Sequence, residues 1–267
     1  MRKNLLRTIQ DLELRAPAVN IALEEAIGRS VASGTAPPTL RFWRDSNSAI
    51  IGRSQPAGEE LDLELCHELD LPVVRRPSGG GTVLHHPNNL NYSLYLPETG
   101  SNGVREESIR LSRPVAAALE NLGLPVRVEP NGLFVGRVKI GGTAQSRRWG
   151  LLHHGTVLLA DGEVMHAMEG LLRAQQAGYE QTNRQLPSKP STVSNLRELL
   201  SDKVSKERLI RELRDEFADR LDLTPVTGSV SGDEWNRALD LSGSKYSSGD
   251  WTFRFTDGIE LSTSTKE

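Results

Sequence analysis

Apolar residues at Val19, Leu23, Ala26 and Ile27 recur at the three-to-four spacing of a helix, which predicts a helix over residues 17–31 with Glu24 and Glu25 on its other side. Short β-type runs follow at 40–43, 49–51 and 72–74, and a helix is expected over 59–69 between the last two. Leu90, Tyr92, Leu94 and Leu96 alternate with Asn91, Ser93 and Tyr95, the period-two pattern of a half-buried strand. Helical spacing returns over 109–122 through Val115, Leu119 and Leu122. Two further strands are expected at 134–140 and 154–159, then a polar loop over 175–192 that holds Pro187 and Pro190. Leu209, Leu213, Phe217 and Leu221 form a last helical stripe. Residues 227–267 are rich in Ser, Gly and Asp and are expected to be loosely ordered at their end. Hairpin-like strand pairs without a regular βαβ repeat point to an α+β fold, with mixed, largely antiparallel sheets flanked by helices, and away from a Rossmann domain. The expected organisation is a main domain over 1–225 and a short extension over 226–267.

A length of 267 residues suits one large domain with at most a small appendage. The net charge of -3 is too mild to announce a nucleic-acid or membrane partner, and Arg147-Arg148-Trp149 alone is no basic, aromatic-interleaved stripe. A single cysteine, Cys66, leaves no internal disulfide framework. No apolar run is long enough to span a membrane, and Asp11 and Glu13 stand where a signal peptide needs apolar residues, so the expected location is the cytoplasm.

The charge is unevenly distributed. Residues 71–97 hold no Asp or Glu but carry Arg75, Arg76, His85 and His86. Residues 130–160 also lack acids and carry Arg137, Lys139, Arg147, Arg148, His153 and His154. Buried strands avoid acids anyway, but they do not explain the retained cations. If the two segments meet, they form a positive pocket suited to a phosphate or carboxylate. In the first, Arg75-Arg76-Pro77-Ser78-Gly79-Gly80-Gly81-Thr82 follows a strand. Its three glycines let the backbone approach a ligand, and successive N–H groups can cradle an anion. It is neither a P-loop nor GxGxxG; on glycines alone a plain turn is equally expected, and the arginine pair tips the balance. In the second, Lys139 lies between Val138 and Ile140, so a regular strand turns it to the opposite face from both.

Together these segments resemble the lipoate-protein ligase catalytic domain, a relative of the biotin ligases. The resemblance covers roughly residues 15–200. It runs through Asn20-Ile21-Ala22-Leu23-Glu24-Glu25, Leu40-Arg41-Phe42-Trp43, Ile51-Gly52-Arg53-Ser54-Gln55, the Arg75–Val83 loop with His85 and Asn89, the 136–145 segment, His153-His154-Gly155-Thr156-Val157-Leu158-Leu159, and Thr192-Val193-Ser194-Asn195-Leu196. Similar ligases carry His-Asp where this chain has His85-His86. The resemblance implies that lipoate (or octanoate) and ATP, with Mg2+ as its counter-ion, react to an acyl-adenylate. The acyl group then passes to a lysine of a lipoyl-acceptor protein: a 2-oxoacid dehydrogenase E2, a glycine-cleavage H protein or another lipoate-binding protein. It places the catalytic lysine on Lys139. Adenylate and substrate contacts would come from Arg75, Arg76, Ser78, Gly79, Gly80, Gly81, Thr82, His85, Asn89, Gly142, Ala144, His154, Gly155 and Thr156; no metal ligand follows from it. Octanoyltransferases of the family use a cysteine thioester instead, yet no cysteine flanks the lysine segment. Cys66 and His67 are helix neighbours about 100° apart and do not face each other. Larger ligases continue into an accessory domain, which here would be missing or supplied by a separate subunit. A non-catalytic lipoate-binding protein remains the alternative of a different class, and the retained Lys139 speaks against it.

Overall fold

The structure is a computed structural model that describes residues 4–97, 103–130, 132–159, 170–173, 188, 191–200 and 205–255. The chain runs β1 (Leu5–Arg15), α1 (Pro17–Ala32), β2 (Thr39–Asp45), β3 (Ser48–Ile51), α2 (Ala57–Glu60), α3 (Leu63–Glu68), β4 (Val73–Arg75), β5 (Val83–His85), β6 (Leu90–Leu96) and α4 (Val104–Glu120). It continues β7 (Val126–Glu129), β8 (Gly132–Val135), β9 (Val138–Ser146), β10 (Leu151–Val157), α5 (Leu196–Leu200), α6 (Lys206–Leu221), β11 (Thr224–Thr227) and α7 (Gly232–Leu241). A π-helical turn (Ser242–Tyr246) and α8 (Gly249–Thr252) follow.

Among the described residues, an eight-stranded sheet has the order β11-β1-β2-β6-β10-β9-β8-β7, and a small sheet the order β4-β3-β5. In the large sheet, β1 is parallel to β11 and β2, and the remaining neighbours are antiparallel. The α+β expectation therefore stands. One face of the sheet packs on α4 and α6, where Leu40, Phe42, Leu90, Tyr92 and Leu94 meet Leu111, Val115, Leu119, Leu209, Leu213 and Phe217. Beyond the other face lie α1, the small sheet and the α7 region, with Ile21, Ala22 and Ala26 against Trp43, Ile50, Val74, Ala238 and Tyr246.

Several expectations are corrected. The helix expected over 59–69 is two short helices: Leu61 is extended and bridges Leu172, and Asp62 caps α3 by accepting from the Leu65 N–H. The strand expected over 134–140 is a hairpin turned at Gly136, whose φ of 58° suits glycine. Strand β1 had no counterpart, because a bulge between Asp11 and Leu14 breaks its alternation. The described part of the serine-rich tail, residues 227–255, holds α7, the π-helical turn and α8. Ser231 forms a capping box with Glu234 at the start of α7, and Glu234 also pairs with Arg7 at 2.7 Å. Residues 256–267, and the expected loop over 175–192 apart from Ser188, Ser191 and Thr192, lie outside the described residues.

Gly155 of β10 lies beneath Tyr92. A Cβ there would sit 2.6 Å from the Gly142 carbonyl oxygen and 2.7 Å from the Tyr92 hydroxyl. Gly155→Ala is expected to cost about 2 kcal/mol of stability, since an overpacked core loses 1–3 kcal/mol. A denaturant midpoint unchanged from the wild type would contradict this.

Candidate active site

The alternation of the central strands sorts apolar from polar side chains, but the polar set does not face water. Arg41, Trp43 and Asp45 of β2, Asn91 and Ser93 of β6, and His154 and Thr156 of β10 all sit in a buried layer beneath α1 and the small sheet. Helix α1 sends its own polar groups inward: Glu24 and Glu25 are 0% and 1% exposed, against the expectation that they occupy an outer face. The helix is covered on one side by the sheet and on another by α7 and the π-turn, so its polar positions have nowhere else to go.

Two hydrogen-bonded chains occupy this layer. In one, Ser78 Oγ is 2.7 Å from His154 Nε2, and His154 Nδ1 is 2.6 Å from Glu24 Oε1. Burial pushes the Glu24 carboxyl up; His154, Ser93 and Arg41 outweigh it and hold the group below its ordinary value. In the other chain, His85 bridges Asp45 at 2.7 Å and Thr156 Oγ at 3.1 Å, Thr156 bonds Asn91, and Asn20 donates to Asp45.

The glycine loop is shaped from behind by Arg76. Its Nη2 donates to the carbonyls of Gly79 and Gly81, both at 2.7 Å, its Nη1 to Ile50 and its Nε to Ser78 Oγ. All peptide bonds of the described residues are trans, so the Gly80 N–H points opposite to the Gly79 carbonyl, away from Arg76. Gly80 has a φ of 89°, which requires glycine in practice. Among the described residues, the N–H groups of Gly79, Gly80 and Gly81 make no hydrogen bond. A Cβ at Gly79 or at Gly142 would meet nothing within 4 Å, whereas one at Gly80 would lie 3.7 Å from Ala144 Cβ. The loop thus meets β9 at Ala144, with its three unbonded amides available as donors.

Lys139 reaches this side through a β-bulge. The β8–β9 register runs Leu133↔Gly141 and then Phe134↔Lys139, which leaves Ile140 as the extra residue. In a regular strand Lys139 would share a face with Gly141, whose own Cβ direction points at Leu133 in the core. Instead its stem passes over Gly132, and its ammonium lies within electrostatic reach of Arg76 and Glu129. Burial, then Arg76, push the Lys139 pKa below the ordinary lysine value. No side-chain hydrogen bond or ion pair engages it among the described residues. A largely desolvated, unpaired ammonium on the strand that the loop meets, together with unbonded loop amides, is an anion-binding arrangement.

The acid-free segments do meet, since β6, β9 and β10 are adjacent. Gly80 reaches Ala144 of β9, and Lys139 on the same strand lies within electrostatic reach of the Arg76 that holds Gly79 and Gly81. Other expected ligand contacts are placed differently. Arg75 is fully buried and donates to the carbonyls of Gly52, Arg53, Gln55, Trp251 and Thr252. Arg76 and Ser78 support the loop from inside. Thr82 is tied to Gln55, Glu60 and Ser188. Asn89 accepts from the Leu159 N–H and pins β6 to the end of β10. His85 and Thr156 bond each other, His154 bonds Ser78, and Gly155 faces Tyr92 on the far side of the sheet. Sequence reasoning missed the acids that complete the site's surroundings, Glu24, Asp45 and Glu60. A helix with polar groups on every side, too short of exposed positions to be amphipathic, was the available signal for Glu24.

His153, next to His154 but on the α4 side, is fully buried near Tyr92; burial pushes it down to about 3. A histidine held neutral in the fold adds stability that is present above its unfolded value near 6.5 and lost as pH falls towards 3. Between pH 6.5 and 4 this amounts to roughly 3 kcal/mol, at about 1.4 kcal/mol per unit. His153→Leu is expected to flatten the pH-dependence of stability in that window, followed by thermal melts from pH 7 to pH 4.

The model of the family described as the lipoyl protein ligase A/B catalytic domain matches residues 16–218. The chain belongs to this family. Among curated relatives, octanoyltransferase LipM of Lysinibacillus sphaericus is 30% identical, over 90% of this chain and 95% of its own length. Lipoate-protein ligase LplJ of Bacillus subtilis is 28% identical, over 97% of this chain and 76% of its own. Among solved structures, the bi-partite lipoate protein ligase of Thermoplasma acidophilum superposes with a TM-score of 0.78 at 25% identity, covering 96% of this chain and 100% of that one. A lipoate-protein ligase A bound with ATP gives 0.78 at 25% identity, covering 94% and 98%. The family joins lipoate-protein ligases and octanoyltransferases, so this chain is an enzyme of protein lipoylation. No helix among the described residues is long and apolar enough to cross a membrane.

Proposed function

We propose that the chain is an ATP-dependent lipoate-protein ligase. The carboxylate of lipoate or octanoate attacks the α-phosphorus of Mg-ATP and displaces pyrophosphate. The ε-amine of an acceptor lysine then attacks the acyl carbon of the adenylate, AMP leaves, and the amine loses a proton. The observation that carries this reading is the unpaired Lys139 ammonium within electrostatic reach of Arg76, whose guanidinium holds the glycine loop with its unbonded Gly79–Gly81 amides. Such donors suit an α-phosphate and the acyl oxygen, where negative charge builds in both steps. Magnesium enters as the counter-ion of ATP, and the acceptor is a lipoyl-acceptor protein such as an E2 or H protein.

Thiol chemistry is poorly served. Cys66 is the sole cysteine, packs in an apolar cluster with Ala49, Ile51 and Leu63, and burial pushes its thiol up to about 11. A nucleophilic cysteine needs the opposite shift. The match in length to octanoyltransferase LipM favours a second reading, transfer from an octanoyl thioester without ATP. The likeness to a chain of a bi-partite ligase supports a further subunit for the activation step.

Purified chain is incubated with ATP, magnesium, lipoate and an E2 lipoyl domain, and the domain is weighed by mass spectrometry. An ATP-dependent gain of one lipoyl group is expected. Gain only from added lipoyl-adenylate assigns activation to a second subunit; gain only from an octanoyl thioester overturns the ligase reading.

A further inference from the structure

The chain of bonds behind the glycine loop has donor-only groups at both ends, and this determines where every proton in it lies. At one end the Trp43 indole N–H, which can only donate, bonds Ser93 Oγ at 2.8 Å. Ser93 therefore spends its own proton on Glu24 Oε1, 2.7 Å away. At the other end the Arg76 Nε–H, also donor-only, bonds Ser78 Oγ at 2.9 Å. Ser78 then has one proton left, and it goes to His154 Nε2 at 2.7 Å. That nitrogen must accept, so the imidazole proton is on Nδ1, where it donates to Glu24 Oε1 at 2.6 Å. A proton on Nε2 would give Ser78 two donors and leave its hydroxyl hydrogen without an acceptor in a fully buried position.

We propose that Glu24 and His154 are positioning residues of the glycine loop: Glu24, together with the Arg76-held Ser78, fixes the Nδ1–H tautomer of His154, which accepts the Ser78 hydroxyl and anchors the residue that leads into Gly79–Gly81. The nitrogen that carries the proton on a histidine is set by the partner of the other nitrogen, and a wrong tautomer disables a site whose shape is otherwise intact. Arg76 adds the second hold on the loop, through the Gly79 and Gly81 carbonyls.

The kinetic half of this inference rests on the ligase reading; the tautomer does not. The full chain is labelled with 15N-histidine and compared with Glu24→Met, which removes the acceptor, and Glu24→Gln, whose amide oxygen can replace it. His154 is expected to show Nδ1 protonated and Nε2 as an acceptor in the wild type and in Glu24→Gln, and to lose that single state in Glu24→Met, where Nδ1–H has no acceptor and Nε2–H would oppose the Arg76-held Ser78. In lipoate-dependent pyrophosphate exchange, kcat is expected to fall about 30-fold in Glu24→Met, within the hundredfold that a loop misplaced by an ångström can cost. KM for lipoate stays within twofold, and Glu24→Gln keeps most of the rate. A wild-type spectrum with Nε2 protonated overturns the proposal, as does Glu24→Met with the wild-type tautomer, or with that tautomer lost but kcat unchanged. If Glu24→Met does not fold, His154→Gln, whose amide oxygen can accept from Ser78, takes its place and is expected to retain more activity than His154→Leu; equal losses overturn the link. Where the wild type shows no exchange, transfer from added lipoyl-adenylate is the rate compared; absence of both sinks the ligase reading and leaves the tautomer result standing.

Discussion

Lys139→Ala is expected to fold normally and to lose acyl-adenylate formation by two to three orders of magnitude. Removal of one donor aimed at developing negative charge costs about 3–4 kcal/mol in a water-poor site, which is that loss in rate. The fold has little to lose. The ammonium is largely desolvated, bonded to nothing among the described residues, and held below its ordinary pKa by burial and by Arg76. A base with a lowered pKa in the folded state costs stability throughout the range below that pKa, and the cost vanishes only as pH rises past the unfolded value. Alanine removes it, so the melting temperature at pH 7 is expected to stay level or rise. Pyrophosphate exchange and a thermal melt on the same preparation check both parts. A variant that exchanges at the wild-type rate rules out Lys139 as the charge-stabilising group.

Arg75→Ala is expected to be the most damaging change to the fold, with about 3–5 kcal/mol lost. The arginine was expected to clamp the ligand; its nitrogens instead join the Gly52–Gln55 turn to the carbonyls of Trp251 and Thr252. Truncation leaves several buried carbonyls unpaired at about 1–3 kcal/mol each, partly relieved by entering water. Trp251 still donates its indole N–H to the backbone carbonyl of residue 75, but the α8 region loosens because the guanidinium no longer holds the Trp251 and Thr252 carbonyls. Denaturant unfolding gives the magnitude, and faster proteolytic cleavage around residues 247–255 gives the location. Loss of ligand binding with stability intact would restore the clamp reading.

How much of this was legible follows from what periodicity encodes. Alternation on β6 correctly divided Leu90, Tyr92 and Leu94 from Asn91 and Ser93, but a period says only that two faces differ. It does not say that the polar face meets water, and here that face meets Glu24, Trp43 and His154. The glycine loop and the lysine segment were legible because each combines cations with an absence of acids. The bulge at Ile140 was not, since it appears only when β8 fixes the register, and it decides which way Lys139 points. Strand β1 was hidden by its own bulge, and the tail by a composition of serines that the fold uses as caps.

The parallel pairing of β1 with β11 sets the order in which this protein can be made. Leu5 lies opposite Thr224, and Arg7 pairs with Glu234, so the first strand has one of its two neighbours supplied more than two hundred residues later. During synthesis β1 can dock on β2 early, but it must wait as an open sheet edge until α6 and β11 have left the ribosome. Contacts this distant in sequence slow folding, and an unpaired edge in the interval invites pairing with other chains. Pro225 on β11 has no N–H to offer a further strand, so once β11 is seated it closes that edge of the sheet.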